Sequence, residues 1–85
     1  MPKPITSMAQ LKKEAKYPDN TDFFIMLNGN LRSSKRIVWE EDEEIFFVVN
    51  HIDDSEQELS EEQLMDRRYT NIGYAMTKGA LFKDD

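Results

Sequence analysis

The only histidine of this chain is followed closely by two carboxylates, the spacing in the sequence that comes nearest to a catalytic or metal-binding motif. His51 precedes Asp53 and Asp54, and imidazole and carboxylate groups serve as metal ligands or as general acids and bases. A metal site needs three or four ligands, but the chain has no cysteine and no second histidine. The acidic stretch after Asp53 lacks the central glycine of a calcium-binding loop, and no hydroxyl residue has nucleophile spacing to His51. An enzyme is therefore the weakest hypothesis, and we expect His51 to be structural, with no catalytic residue, metal or cofactor.

A basic cluster on a predicted strand has the residue types that bind anions. Arg32, Lys35 and Arg36 flank two serines, with the Arg67–Arg68 pair further along the chain, and such cations can hold a phosphate or a nucleotide. Because side chains alternate along a strand, the three are not expected to point the same way. Pairing across the sheet, or with the acids of Asp53–Asp54, is the simpler interpretation.

The acidic residues are concentrated in one part of the chain. Eleven of the seventeen lie between Glu40 and Glu62, a stretch without Lys or Arg, and the net charge of the chain is −6. A solvated hairpin turn that discourages edge-to-edge aggregation would explain the first acidic run. The functional alternatives are a surface for a basic protein partner, or a mimic of nucleic-acid phosphates that inhibits a host protein. The candidate partner-binding residues are Trp39, Glu40, Glu41, Asp42, Glu43, Glu44, Asp53, Asp54 and Glu56.

Size and composition limit the class of protein. We expect one small domain over residues 1–85, because a chain of this length supports only one modest core. No apolar run approaches the length of a membrane span, and no apolar signal segment follows the N-terminus, so a cytoplasmic protein is predicted. An acidic chain is not expected to bind nucleic acid directly.

Local motifs predict the elements that hold these residues. Ser7 with Gln10 and Ser60 with Gln63 fit the helix capping box, and Asn28-Gly29 is a strong signal for a two-residue hairpin turn. Thr70 or Asn71 should cap a last short helix. The predicted elements are helix 5–17, strands 22–28, 31–39 and 45–52, a short edge strand 57–59, and helices 60–68 and 72–78.

These elements predict an α+β fold, an antiparallel three- to four-stranded β-meander with an N-terminal helix and two short C-terminal helices. The strands at 22–28 and 45–52 are apolar at consecutive positions, so both faces of the sheet need covering. Three short helices can cover one face. We therefore expect a homodimer or a protein partner on the other.

Several short stretches resemble small uncharacterised proteins carried by bacterial phages and mobile elements. The resemblance spans roughly residues 22 to 82 and implies no activity, cofactor or site residue. It favours an accessory or counter-defence role, because small acidic phage proteins often bind a host protein. The stretches are Leu31-Arg32-Ser33-Ser34-Lys35, Ile52-Asp53-Asp54-Ser55, Glu58-Leu59-Ser60, Thr70-Asn71-Ile72-Gly73 and Lys78-Gly79-Ala80-Leu81.

Two functional hypotheses remain open from the sequence. The first is a non-enzymatic protein-interaction module that binds a basic partner through its acidic surface. The second is a small-ligand binding or sequestering protein, in which Arg32, Lys35 and Arg36 hold a nucleotide-like anion.

Overall fold

A computed structural model describes residues 2–84, so the first and last residues of the predicted domain lie outside it. Within that range the chain forms one antiparallel sheet of six strands and three short helices. The predicted α+β class is confirmed. The elements are β1 (Lys3–Pro4), α1 (Met8–Glu14), β2 (Asp22–Leu27), β3 (Asn30–Glu40), β4 (Ile45–Asn50), β5 (Glu56–Leu59), α2 (Glu61–Leu64), α3 (Ile72–Thr77) and β6 (Leu81–Lys83).

The strand order is β1-β6-β2-β3-β4-β5, which contains the predicted meander as β2 to β5. The sheet has six strands and not the predicted three to four, because β6 pairs beside β2 and β1 pairs beside β6. Phe82 of β6 pairs with Phe24 of β2, and the backbone N–H of Ile5 donates to the carbonyl of Leu81 at 2.8 Å. Strands of two or three residues are too short to leave a period-2 pattern, so only long-range pairing reveals them.

The Asn28-Gly29 turn is confirmed, since both residues have positive φ, 52° and 77°, as a two-residue hairpin turn of this kind requires. Beyond it the register shifts, because Ile25 pairs with Ser33 but Met26 pairs with Leu31. Arg32 is therefore the extra residue of a β-bulge, a feature that re-aims side chains. The regular alternation predicted for this strand consequently fails at Arg32.

Helix α1 is shorter than the predicted 5–17. The Ser7 hydroxyl accepts the N–H of Gln10 at 3.1 Å as expected, but the Gln10 side chain accepts the N–H of Thr6 at 3.0 Å in place of that of Ser7. At the other end the Ala15 carbonyl accepts the N–H of Trp39 at 2.8 Å. The chain after α1 therefore runs alongside β3, where it satisfies backbone groups that β2 does not reach.

The second capping box is complete. The Ser60 hydroxyl accepts the N–H of Gln63 at 3.2 Å, and the Gln63 side chain accepts the N–H of Ser60 at 3.0 Å. Helix α2 nevertheless ends at Leu64, before the predicted 68, because the segment after it folds into a turn in which Asp66 accepts the N–H of Arg68 at 2.9 Å.

Helix α3 lies close to its predicted range of 72–78. Of the two predicted caps, Thr70 accepts the N–H of Ile72 at 3.3 Å, whereas Asn71 makes no side-chain cap bond. Gly79, with φ of 68°, ends the helix, and the N–H of Ala80 then donates to Ala75 at 2.8 Å. This backbone pattern is a Schellman motif, which predicts glycine at the C′ position.

The helices cover one face of the sheet, and the core lies between them and the strands. Phe23, Ile37 and Phe46 from the sheet are fully buried there with Leu11 of α1 and Leu64 of α2. No helix within residues 2–84 is long and apolar enough to cross a membrane. The opposite face of the sheet carries no helix, and we refer to it as the open face.

Candidate functional site

The open face carries apolar and aromatic side chains that are only partly buried. Phe24 and Phe82 stack with ring centroids 5.4 Å apart. Across the next strands, Val38, which is itself buried, pairs with Phe47, and Arg36 pairs with Val49. Phe47 and Val49 stay half-buried because no element packs over them. The open face therefore has the apolar centre that protein interfaces share.

Carboxylates lie beside this apolar centre on the edge strand and in the turns at the two ends of β4. On the edge strand β5, Glu58 stands opposite Phe47 and Glu56 stands opposite Val49, so both lie on the open face. The exposed turn after β3 lies at one end of β4, and the turn after β4 lies at the other. All eight acidic residues predicted to bind a partner thus lie at the end of β3, on β5 or in the turns at the two ends of β4. We define the acidic rim as Glu40, Glu41, Asp42, Glu43, Glu44, Asp53, Asp54, Glu56 and Glu58.

Trp39 does not belong to this surface. Its ring lies on the helix-covered face, half-buried and 4.5 Å from the ring of Phe46. The ammonium of Lys12 lies 4.6 Å from its centroid and covers it from the solvent side. Because Trp39 and Glu40 are consecutive strand residues, they point to opposite faces, and the tryptophan is part of the packing of α1.

His51 lies in the turn after β4 and is anchored at the margin of the open face. Its Nε2 atom lies 3.0 Å from Oδ1 of Asp22, and its backbone N–H donates to the carbonyl of Ser34 at 3.0 Å. Its ring therefore bonds to Asp22 of β2 and not to Asp53 or Asp54. No group of three or more potential metal ligands occurs among residues 2–84.

A basic cavity of about 540 Å³ lies on the helix-covered face, between the sheet and the segment that leads into α3. Arg32, Lys35 and Arg67 all line it. Arg36 does not, because it points to the open face, where its guanidinium lies 5.8 Å from the ring of Tyr17. The β-bulge therefore brings together two of the three predicted anion-binding residues and leaves the third on the other side of the sheet.

The cations of this cavity are not neutralised in the way the sequence suggested. No salt bridge within residues 2–84 involves Arg32, Lys35 or Arg67. Burial lowers the pKa of Lys35, and the negative charge of Asp53 partly opposes this effect. Neither predicted acid pairs directly with Arg32. An anion in the cavity would therefore meet cations that no salt bridge holds, although Asp53 acts on Lys35 from nearby.

Arg67 is the member of this site to which the sequence pointed least clearly. Of the Arg67–Arg68 pair, Arg68 is engaged by Asp66 through a 2.7 Å salt bridge. Arg67 instead lies over the ring of Tyr74, with its guanidinium 4.1 Å from the centroid. The two arginines are equivalent in sequence, and only the fold of the turn after α2 distinguishes them.

Comparisons of this chain with protein-family models, with curated proteins and with solved structures found no match.

Proposed function

We propose that this protein is a non-enzymatic interaction module that binds a basic protein partner on its open face. The observation that carries the proposal is the half-buried pair Phe47 and Val49, bounded by Glu56 and Glu58 on the neighbouring edge strand. A hydrophobic centre with a polar rim is the usual anatomy of a protein interface.

Charge complementarity indicates the chemistry of the partner. The acidic rim is exposed at both turns, and within residues 2–84 the strand register places a single cation, Arg36, at the centre of the face. A partner with Lys or Arg around an apolar contact would meet opposite charge on the edge strand and in both turns. Such complementarity mainly accelerates association and excludes wrong partners, and salt screens it.

The biological setting follows from the resemblance to phage and mobile-element proteins and rests on it alone. An accessory protein of that kind would use the open face to bind a host protein. If the bound surface on that host protein is a nucleic-acid groove, the acidic rim acts as a phosphate mimic. If it is another basic surface, the protein is a simple blocking module.

The test compares charge reversals on the two sides of the molecule. A partner is captured with the wild-type chain, identified, and its affinity measured for Glu58→Lys and Glu62→Lys. Both carboxylates are exposed, but Glu58 lies on the open face and Glu62 on α2. We expect Glu58→Lys to weaken binding by about tenfold, Glu62→Lys to have little effect, and the wild-type affinity to fall with salt. Neutralising the turn Glu41, Asp42, Glu43 and Glu44 together should slow association.

Three results would count against the proposal. One is an identified partner that binds wild type and Glu58→Lys equally well. Another is an affinity that salt does not change, since the acidic rim would then make no contribution. The third is capture of nothing but further copies of this chain, which would assign the open face to self-association.

A further inference from the structure

We propose that the basic cavity binds a small organic phosphate of about nucleoside-monophosphate size. This site lies on the opposite side of the sheet from the open face and is independent of the proposed partner. The cavity has the volume, the charged lining and the free hydrogen-bonding groups that such a ligand needs.

The charge of the lining identifies the ligand as an anion. Arg32, Lys35 and Arg67 line the cavity together, and no Asp or Glu of the described residues 2–84 is part of its lining. This arrangement contrasts with the chain as a whole, which has seventeen acidic and eleven basic residues. Cations that line one cavity repel one another, the charge of Asp53 offsets only part of this at Lys35, and a bound anion relieves the rest. Guanidinium groups match the oxygens of a phosphate in a fork geometry, so a phosphate fits this set better than a halide.

The rest of the lining indicates that the phosphate is attached to an organic body. Ile25, Leu27 and Ala75 supply apolar surface, and Asn50 and Asn71 supply amides. The Asn50 oxygen is used by the N–H of Ile52 at 2.9 Å, and Asn71 makes no capping bond. Amide groups therefore remain to bind a polar ring or a sugar. The volume of about 540 Å³ lies within the roughly 300–1,000 Å³ typical of small-molecule sites.

The architecture of the site explains why these groups converge. The β-bulge aims Arg32 towards the helix-covered face, so that it joins Lys35 on the same strand. Tyr74 of α3 positions the Arg67 guanidinium at 4.1 Å from its ring. The cations thus come from one strand and from one turn that is packed on α3. Sites held on packed elements retain their geometry better than sites on free loops.

The experiment is calorimetric titration of the full chain with nucleoside monophosphates, a sugar phosphate and inorganic phosphate, followed by amide chemical-shift mapping. The informative variants are Arg32→Gln and Lys35→Gln. Arg36→Gln is the matched control, because it removes the same charge from the same strand on the opposite face. We expect at least one organic phosphate to bind, each cavity variant to weaken binding by tenfold or more, and Arg36→Gln to change it less than twofold. The largest shifts should fall on Ser33, Asn50 and Asn71.

Four outcomes would overturn the proposal. No binding of any organic phosphate at millimolar concentration would remove the site. An equal loss of affinity in Arg36→Gln and Arg32→Gln would show that the phosphate is attracted by the overall charge of the protein and not bound in a defined cavity. If inorganic phosphate bound as tightly as every organic phosphate, the cavity would make no contact with the organic part of the ligand. Amide chemical-shift changes confined to the open face would show that the ligand binds there and not in the basic cavity.

Discussion

At the scale of single residues, Glu14 connects both ends of the chain to α1. Its two carboxylate oxygens accept from the ammonium groups of Lys3 in β1, at 3.0 Å, and Lys83 in β6, at 3.1 Å. These hydrogen bonds lower the pKa of Glu14 below its usual range. The stabilisation is therefore present above the unfolded-state pKa, about 4.3, and is lost as the pH falls through the lower, folded-state value.

We expect Glu14→Gln to lower the free energy of unfolding by about 2 kcal/mol at neutral pH, because it leaves the buried Lys83 without a counter-ion. The difference from wild type should shrink as the pH falls below about 4, because the unfolded state then binds a proton at Glu14 more readily than the folded state does. Urea unfolding at a series of pH values measures both quantities. A difference that stays constant with pH would contradict the ion-pair explanation, and the exposed control Glu43→Gln should change stability by less than about 0.5 kcal/mol.

The charge of Lys35 should destabilise the folded protein, whereas the charge of Glu14 stabilises it. Burial lowers its pKa, so the folded state binds this proton less tightly than the unfolded state does. Wild-type stability should therefore rise with pH just below the ordinary lysine pKa of about 10.4. We expect Lys35→Met to stabilise the protein at neutral pH by up to about 1 kcal/mol, with the difference narrowing at alkaline pH. Denaturant unfolding at both pH values tests this, and a destabilised Lys35→Met protein would contradict it.

At the scale of elements, the contact between α2 and α3 depends on a missing side chain. Gly73 is buried in α3, where an added Cβ atom would lie 2.6 Å from Cα of Met65 and 2.7 Å from the carbonyl oxygen of Leu64. Both neighbours are backbone atoms that cannot move without shifting the end of α2. The segment with Arg67 lies between the two helices, so this packing also holds one side of the basic cavity.

We therefore expect Gly73→Ala to lower the free energy of unfolding by about 2 kcal/mol or more, since overpacking against backbone displaces a helix. Gly79→Ala is the matched control. An added Cβ meets nothing within 4 Å there, and only the positive φ of 68° opposes it, at a cost of about 1 kcal/mol. Thermal unfolding of both variants compares the two losses. A smaller loss for Gly73→Ala than for Gly79→Ala would show that α2 adjusts freely.

Sequence reasoning succeeds in this protein wherever the determinant is local. The Ser60 capping box and the Asn28-Gly29 turn involve residues within four positions of one another, and both are confirmed. It fails where residues distant in sequence must pair. Strand β6, close to the C-terminus, pairs with β2, which follows the first helix, and the bulge at Arg32 exists only in the register between β2 and β3. Because that register decides which way Arg32 points, the basic cavity could not be predicted from the strand pattern.

At the scale of the whole molecule, the fold separates the charges by face as the sequence separates them by position. The acidic rim bounds the open face, whereas the basic cavity opens on the helix-covered face. A single sheet lies between the two, and they meet only at the turn after β4, where Asp53 of the acidic rim acts on Lys35 of the cavity. The homodimer expected from the apolar strands stays a prediction, and the acidic rim determines how it should respond to salt.

Two copies joined through their open faces would bring two acidic rims together. Raising the salt concentration from about 0.05 M to about 0.5 M screens the repulsion between the two rims, so it should strengthen self-association. The same change should weaken binding of a basic partner. Sedimentation velocity at the two salt concentrations measures the dimer fraction. Phe47→Asn should reduce that fraction, and Ile52→Asn should not, although Ile52 is 75% exposed, because it lies in the turn beyond β4. A dimer that dissociates as salt is added would instead be held by opposite charges, and the open face would then be left to the basic partner.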